Sequence, residues 1–233
     1  MADDVRRRAF LGFVGGAVAA GAAQALAAEA PAPAKGVKIV GVACSPRKGK
    51  TTAAAVQAVL DAAKAASPAI EVELIELADM NINGAVAAGV PLPAGQEDDF
   101  LKLAPKLSDP KVGGIIVGSP VYFGSMSSLC KAFLDRWVVF RKANFPLSGK
   151  VAGVVAVGGN RNGGQELTIQ CIQAALMCHE MLIVGDGRPT AHRGATLWNN
   201  KDDISGDELG LGTAKNLGRR VAEVALKMAG IAG

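Results

Sequence analysis

From residue 37 onward, short apolar runs alternate with longer stretches in which apolar side chains recur every three to four positions. Residues 38–43 form the first apolar run, and Val56, Val59, Leu60 and Ala63 then mark one face of a helix over 52–66. Over 70–77, Val72, Leu74 and Ile75 are interleaved with acidic residues, as expected of a strand near a sheet edge. A short helix is predicted over 98–107, stopped before Pro110, with Asp98 and Asp99 as its acidic start rather than an acid–base dyad. Residues 113–117 are a third apolar run. Met126, Leu129, Cys130, Phe133, Leu134 and Trp137 then predict one helix over 126–141. Runs at 151–157 and 181–184 supply two more strands, separated by a helix over 165–178. A last helix is predicted over 207–228, with Ala214, Leu217, Val221, Val224 and Met228 on one face.

Continuous apolar strands alternating with helices imply a parallel sheet covered on both faces. No internal repeat or interdomain linker interrupts the pattern. The expectation is one α/β domain over 37–233, doubly wound around a five-stranded parallel sheet of flavodoxin-like order 2-1-3-4-5.

Composition narrows this further. Half of the 233 residues are hydrophobic and 20% are charged, which suffices for a sizeable core. The formal charge of +4 is spread without a basic block or an aromatic-basic stripe, so nucleic-acid binding has little support. Four Cys in this length are no disulfide scaffold, and His179 and His192 lack ligand spacing, so no metal is assigned.

The first thirty residues read as an address. Arg6-Arg7-Arg8-Ala9-Phe10-Leu11 precedes an uncharged Ala/Gly-rich run, and Ala25-Leu26-Ala27 fits a small-residue cleavage site. Arg7-Arg8 with Phe10 and Leu11 behind it resembles the twin-arginine (Tat) signal. Residues 1–27 are therefore expected to be a signal peptide cleaved near Ala27, and 28–36, with Pro31 and Pro33, a flexible leader. That implies the Tat export machinery as a partner and a periplasmic mature protein. An uncut N-terminal anchor is the alternative, although the apolar run is short of the ~20 residues a spanning helix needs.

In an open α/β sheet, ligands bind beyond the carboxyl ends of the strands, where the strand order reverses. The loops after strands one, three and four meet there, and none of them is an ordinary turn. The first, Cys44-Ser45-Pro46-Arg47-Lys48-Gly49-Lys50-Thr51-Thr52, leads into a helix. Its hydroxyls on Ser45, Thr51 and Thr52, its helix N-terminus and the charges of Arg47 and Lys50 suit a phosphate. The window 44–51 also fits a Walker A pattern, except that Cys44 replaces the first Gly. A P-loop nucleotide-binding protein is thus one alternative. It would need a carboxylate ending a later strand for Mg²⁺, and strand three instead ends Gly118-Ser119-Pro120. A polar turn with no ligand is the bland reading.

The second loop, Gly118-Ser119-Pro120-Val121-Tyr122-Phe123-Gly124-Ser125, contains the only Tyr of the chain. It can offer backbone groups and flat side chains to a planar ring; otherwise Tyr122 and Phe123 pack beneath the sheet end. The third loop runs Gly158-Gly159-Asn160-Arg161-Asn162-Gly163-Gly164-Gln165-Glu166. Four glycines in seven positions are costly in chain entropy, which makes sense where backbone approaches a ligand closely or takes positive φ.

These loops carry a family resemblance. A Ser-Pro-Arg-Lys-Gly loop after strand one, with Gly-Ser-Pro-Val-Tyr-Phe-Gly-Ser after strand three, is similar to the NADPH-dependent FMN reductase and iron–sulfur flavoprotein branch of the flavodoxin superfamily. The resemblance spans roughly residues 37–229. It implies an FMN-binding oxidoreductase with the phosphate on Ser45, Arg47, Lys50, Thr51 and Thr52. The flavin ring would lie against Pro120, Val121, Tyr122, Phe123, Gly124 and Ser125, with its pyrimidine side on Gly158, Gly159, Asn160, Arg161, Gly163 and Gly164. It further implies NAD(P)H as donor, a quinone or flavin as acceptor, and a homo-oligomer, dimer or tetramer. No catalytic side chain is required, because the flavin carries the chemistry.

The chain departs from that pattern where iron–sulfur flavoproteins carry a compact cysteine cluster, after strand two. Residues 81–93 contain no Cys, whereas a [4Fe–4S] cluster normally needs four thiolates. The flavin is expected without the cluster. Cys130 reads as core, Cys44 as a small packing residue with a redox thiol as the minority reading, and Cys171 and Cys178 as too far apart for a disulfide. A periplasmic location would also separate the protein from cytoplasmic NAD(P)H. The alternative of a different class is therefore a secreted flavodoxin-like electron carrier fed by a quinol or a cytochrome. Its net charge of +3 after removal of 1–27 argues mildly against that.

Overall fold

The computed structural model describes residues 36–231; the expected signal peptide (1–27) and all but the last residue of the expected leader (28–36) lie outside them. The strands are β1 (Val37–Ala43), β2 (Ile70–Glu76), β3 (Val112–Tyr122), β4 (Ser125–Met126), β5 (Val151–Gly158), β6 (Leu182–Ile183) and β7 (Ala195–Trp198). The α-helices are α1 (Thr51–Ala66), α2 (Phe100–Ser108), α3 (Ser128–Asp135), α4 (Val138–Lys142), α5 (Gln165–Met177) and α6 (Glu208–Met228). A 3-10 turn covers Gly84–Ala88.

The sheet runs β2-β1-β3-β5-β6, with β1 parallel to β2 and β3, and β5 parallel to β3 and β6. Alternate side chains of each central strand face opposite layers. Ile39, Ile116 and Val155 pack with Val56, Val59, Leu217 and Val221 of α1 and α6. Val40, Val117 and Val154 pack on the other face with Phe100, Phe133, Trp137, Phe140 and Ile172. The doubly wound α/β reading stands. Gly118 lets α1 lie close to β3, because a Cβ there would run into the Val56 side chain.

Four details differ from the sequence expectation. The sheet has seven strands rather than five, because two short ones join the main path. Strand three continues to Tyr122, beyond the apolar run 113–117 and past the Gly118-Ser119-Pro120 stretch at which it was expected to end. Gly118 accepts from Cys44 N at 2.8 Å, so the alternation turns the missing N–H of Pro120 toward the same side, where β1 has already ended. The chain then reverses through Phe123 (φ 51°) and Gly124 (φ 74°), pairing Tyr122 with Ser125 and Val121 with Met126 as the antiparallel β4. Positive φ at both central residues is the two-residue hairpin geometry that matches strand twist.

The fifth strand is likewise broken in two. After β6 the chain loops outward around buried Asp186, which accepts from Thr190 Oγ1 at 2.5 Å and from His192 N. It returns as β7 beside Val155–Gly158 of β5. The helix expected over 126–141 starts at Ser128 and divides into α3 and α4 at Arg136, whose guanidinium turns into a buried ion pair with Asp98 and lies over the Phe100 ring. Asp98 and Asp99 stand at the start of α2, with Asp99 paired to Lys102 at 2.7 Å, consistent with the helix-start reading.

Candidate functional site

Parallel pairing brings the ends of β1, β3, β5 and β7 to one rim. Loop one leaves β1 there and feeds α1, whose N-cap is Lys50 and makes no side-chain capping bond. The first N–H groups of α1 thus point outward between Arg47 and Lys50, with the helix dipole's positive end behind them. Ser45 is buried, and its Oγ accepts from Arg47 N at 3.1 Å, which curls the loop. Pro46–Lys50 are exposed, while Thr51 and Thr52 are buried at the helix start. The structure brings Ser45, Arg47, Lys50, Thr51 and Thr52 into one cradle of donors and positive charge. That donor set fits a phosphate ester.

Loop two is tied to loop one by buried serines. Ser127 donates to Cys44 O at 2.7 Å while its Oγ accepts from Cys130 N at 3.0 Å as the N-cap of α3. Ser119 Oγ accepts from Ser127 N at 3.0 Å and donates to Pro120 O at 2.8 Å. Only the hairpin beyond them reaches solvent: Phe123 is 109% exposed and Tyr122 45%. Tyr122 and Phe123 therefore do not pack beneath the sheet end. They stand on the exposed tip of the β3–β4 hairpin, at the same rim as the loop-one cradle.

Loop three packs against that hairpin. Gly164 has φ 98°, and a Cβ there would come 2.9 Å from Gly124 Cα. Gln165 is buried and braces the loop: its Nε2 donates to Asn160 O at 2.6 Å and Leu197 O at 3.2 Å, and its Oε1 accepts from Gly163 N at 2.8 Å. Gly158 and Gly163 are accordingly required by the chain's own close contacts with Gln165 and Asn160; only Gly159, of the four, faces open space. Asn160 is exposed at the rim. Arg161 turns away from the cradle, binding Asp207 at the start of α6 and donating to Thr196 O at 3.3 Å.

A fourth segment, after β7, completes the rim and was not legible in the sequence. Asn199 N donates to Gly158 O at 2.8 Å, and Trp198 Nε1 to Gly159 O at 3.0 Å, so β7 hangs on loop three. Asp202 then reaches loop one, 2.7 Å from Arg47 Nη1 and 3.5 Å from Lys50 Nζ. These two cations, Arg47 first, hold the Asp202 carboxyl below the usual aspartate range. From β2, Glu76 accepts from Gly49 N at 2.7 Å. The positions of Ser119, Ser127, Gln165, Glu76 and Asp202 depend on strand register. The polar run Asn199-Asn200-Lys201-Asp202-Asp203 was the one available signal.

The cysteines stay out of this chemistry. Cys44 and Cys130 are fully buried neighbours in one core, and burial pushes the Cys44 thiol well above its ordinary value, with Cys130 adding to it. That favours the packing reading of Cys44. Among the described residues no group of three or more His, Cys, Asp or Glu could hold a metal ion, and no helix is long and apolar enough to cross a membrane.

A cradle of donors and positive charge at the α1 N-terminus, an exposed aromatic hairpin and a glycine-rich third loop meet at one end of a doubly wound sheet, and the chain's relatives make it an FMN-dependent oxidoreductase. Residues 37–196 match the NADPH-dependent FMN reductase family, and the chain belongs to it. It is 42% identical to an iron-sulfur flavoprotein of Methanocaldococcus jannaschii over 81% of this chain and 97% of that one. An NAD(P)H dehydrogenase (quinone) of Archaeoglobus fulgidus is 38% identical over 49% of this chain and 60% of its own length. In fold, the chain is similar to a flavodoxin, WrbA-like protein of Agrobacterium tumefaciens, with a TM-score of 0.57 at 20% identity, covering 83% of this chain and 99% of that one.

Proposed function

We propose that the chain is an NAD(P)H-type flavin or quinone reductase that carries FMN without an iron–sulfur cluster and works after export. The observation that carries the flavin reading is the uncapped N-terminus of α1 between Arg47 and Lys50, set beside the Tyr122–Phe123 hairpin. Ser45, Thr51, Thr52 and the loop-one amides would hold the phosphate. The hairpin and Gly159–Asn160 would flank the ring and keep water from one of its sides. Bound FMN supplies the redox chemistry, accepting electrons as hydride or singly and passing them to a small acceptor such as a quinone or free flavin. No side chain is assigned a proton-transfer role.

Relatives named for iron and sulfur make the cluster a question in its own right. The four cysteines do not fit one. Cys44 and Cys130 are sealed in the core, Cys171 lies in α5 and Cys178 at its C-cap, and residues 78–99 contain no Cys. A homo-oligomer in which a neighbour covers the exposed hairpin belongs to the same proposal.

The Arg7-Arg8 pair favours a second reading, in which an exported carrier draws electrons from a quinol or a cytochrome rather than from NAD(P)H. The P-loop reading is disfavoured, because β3 ends in a hairpin with no carboxylate for Mg²⁺. One set of measurements separates the three. The purified protein should be yellow with one FMN per chain and no stoichiometric iron, and should turn over NADPH with menadione faster than it is reduced through a cytochrome. Reduction by the cytochrome alone selects the carrier. A colourless protein that ignores added FMN refutes the flavin site.

A further inference from the structure

The phosphate cradle is already engaged by the chain's own carboxylates. Asp202 lies 2.7 Å from Arg47 Nη1 and 3.5 Å from Lys50 Nζ, and Glu76 takes the Gly49 N–H at 2.7 Å. The Arg47 and Lys50 pairs are solvent-exposed, yet the backbone turn sets where the short Asp202 side chain falls. Asp202 sits on a tight reversal in which Lys201 (φ 51°) and Asp202 (φ 66°) both take the left-handed conformation, closed by the bridge between Asn200 and Asp203. Asn199 Oδ1 accepts from Asp202 N at 2.8 Å, and Asn199 is itself bonded to Gly158. The turn therefore delivers a short, two-oxygen anion onto the two cations that would meet a ligand phosphate. Left-handed φ at two successive non-glycine residues is uncommon, and Asp is among the few side chains that tolerate it.

We propose that Asp202 sets the selectivity of this site between phosphorylated and unphosphorylated flavin by standing in for the phosphate when none is bound. The inference rests on the assignment of loop one as the FMN phosphate site. Its carboxylate keeps Arg47 and Lys50 gathered in the empty protein and must yield them, wholly or in part, as the doubly charged phosphate arrives. Part of the favourable phosphate energy is thereby offset, because one ion pair is exchanged for another rather than formed from solvated charges. Riboflavin brings no anion to this cradle, so its binding is indifferent to Asp202. Glu76 acts at the neighbouring Gly49 N–H and offers one acceptor to one donor. Its contribution is the smaller.

The test is a fluorescence titration of the full chain, freed of flavin, with FMN and with riboflavin at low and high salt. Asp202→Asn keeps the size and the turn and removes the charge. It should tighten FMN about fivefold, as expected of an exposed ion pair released from competition, and leave riboflavin unchanged. The gain should shrink at high salt, where such charges are screened. Unchanged or weaker FMN binding in Asp202→Asn, alongside an Arg47→Ala variant that still loses FMN selectively, overturns the role of Asp202 while leaving the phosphate site in place. If Arg47→Ala weakens FMN and riboflavin alike, the phosphate lies elsewhere and both readings fall. An equal gain for FMN and riboflavin in Asp202→Asn also overturns the proposal, since it would mean a general loosening of the rim.

Discussion

Replacing Ser127 by Ala removes one hydroxyl that performs two tasks at the junction of loops one and two. It accepts from Cys130 N at 3.0 Å as the α3 N-cap, and it donates to Cys44 O at 2.7 Å across a buried boundary where Ser127 is 1% exposed. Loss of a serine N-cap costs about 1 kcal/mol. Leaving the buried Cys44 carbonyl without its donor adds about 1–3 kcal/mol. Ser127→Ala should therefore cost about 3 kcal/mol in urea unfolding and lower Tm by roughly 9 °C for a domain of this size. Ser119→Ala should cost less, since Ser119 caps no helix and its hydroxyl donates only to the carbonyl of the adjacent Pro120 while accepting from Ser127 N. Neither hydroxyl belongs to the phosphate cradle, so FMN and riboflavin should weaken together in Ser127→Ala. A loss below about 0.5 kcal/mol would mean that loop one holds its place without this stitch, a value typical of changes at uncoupled surface positions. A selective loss of FMN would mean that the hydroxyl meets the phosphate directly.

The double change Arg47→Ala with Thr52→Ala removes a charge-assisted bond and a hydroxyl, and should raise the FMN dissociation constant by roughly two to three orders of magnitude with riboflavin almost unaffected; equal effects on the two flavins would displace the phosphate from loop one. Lys150 gives a pH signature at the opposite end of the sheet, where it is 8% exposed and donates to the carbonyls of Asp109 and Val112 at 2.8 and 2.6 Å. Burial lowers its pKa to about 8, so the folded protein releases this proton before the unfolded chain does, and its contribution to stability rises with pH from about 8 toward the unfolded lysine value. The rise should approach about 3 kcal/mol and be missing from Lys150→Met; parallel urea profiles for the two proteins between pH 7 and pH 10 would contradict it. For export, Lys in place of both Arg7 and Arg8 should leave uncut precursor in the cytoplasm by cell fractionation, and normal periplasmic accumulation would exclude the twin-arginine route.

What could be read from the sequence, and what could not, divides along a physical line. The alternation of apolar runs with helical stripes depends on local periodicity, so β1, β2, β3, β5 and the faces of α1 and α6 were visible in the positions of Val40, Val56, Val59, Leu217 and Val221. The loops at the sheet end were visible for a related reason, because Gly, Pro, Ser and Arg in those orders suit few tasks other than holding an anion or a planar ring. Features set by register were not visible. Pro120 looked like the end of a strand until the pairing showed β1 ending first and freeing that side of the ladder. The 181–184 run looked like a whole strand, whereas Asp186 draws the chain outward and Ala195–Trp198 resumes the edge. The helix over 126–141 looked continuous, since nothing local says that Arg136 turns toward Asp98. The same limit explains the glycines of loop three. Composition suggested that all four admit a ligand, yet Gly158, Gly163 and Gly164 fit around Gln165, Asn160 and Gly124, leaving Gly159 as the one with open space before it. It also hid Asp202, 155 residues from Arg47 in sequence and hydrogen-bonded to it in the fold. A site of this kind is built in two layers. Local chemistry supplies the groups that face a ligand, and long-range pairing supplies the groups that hold or oppose them.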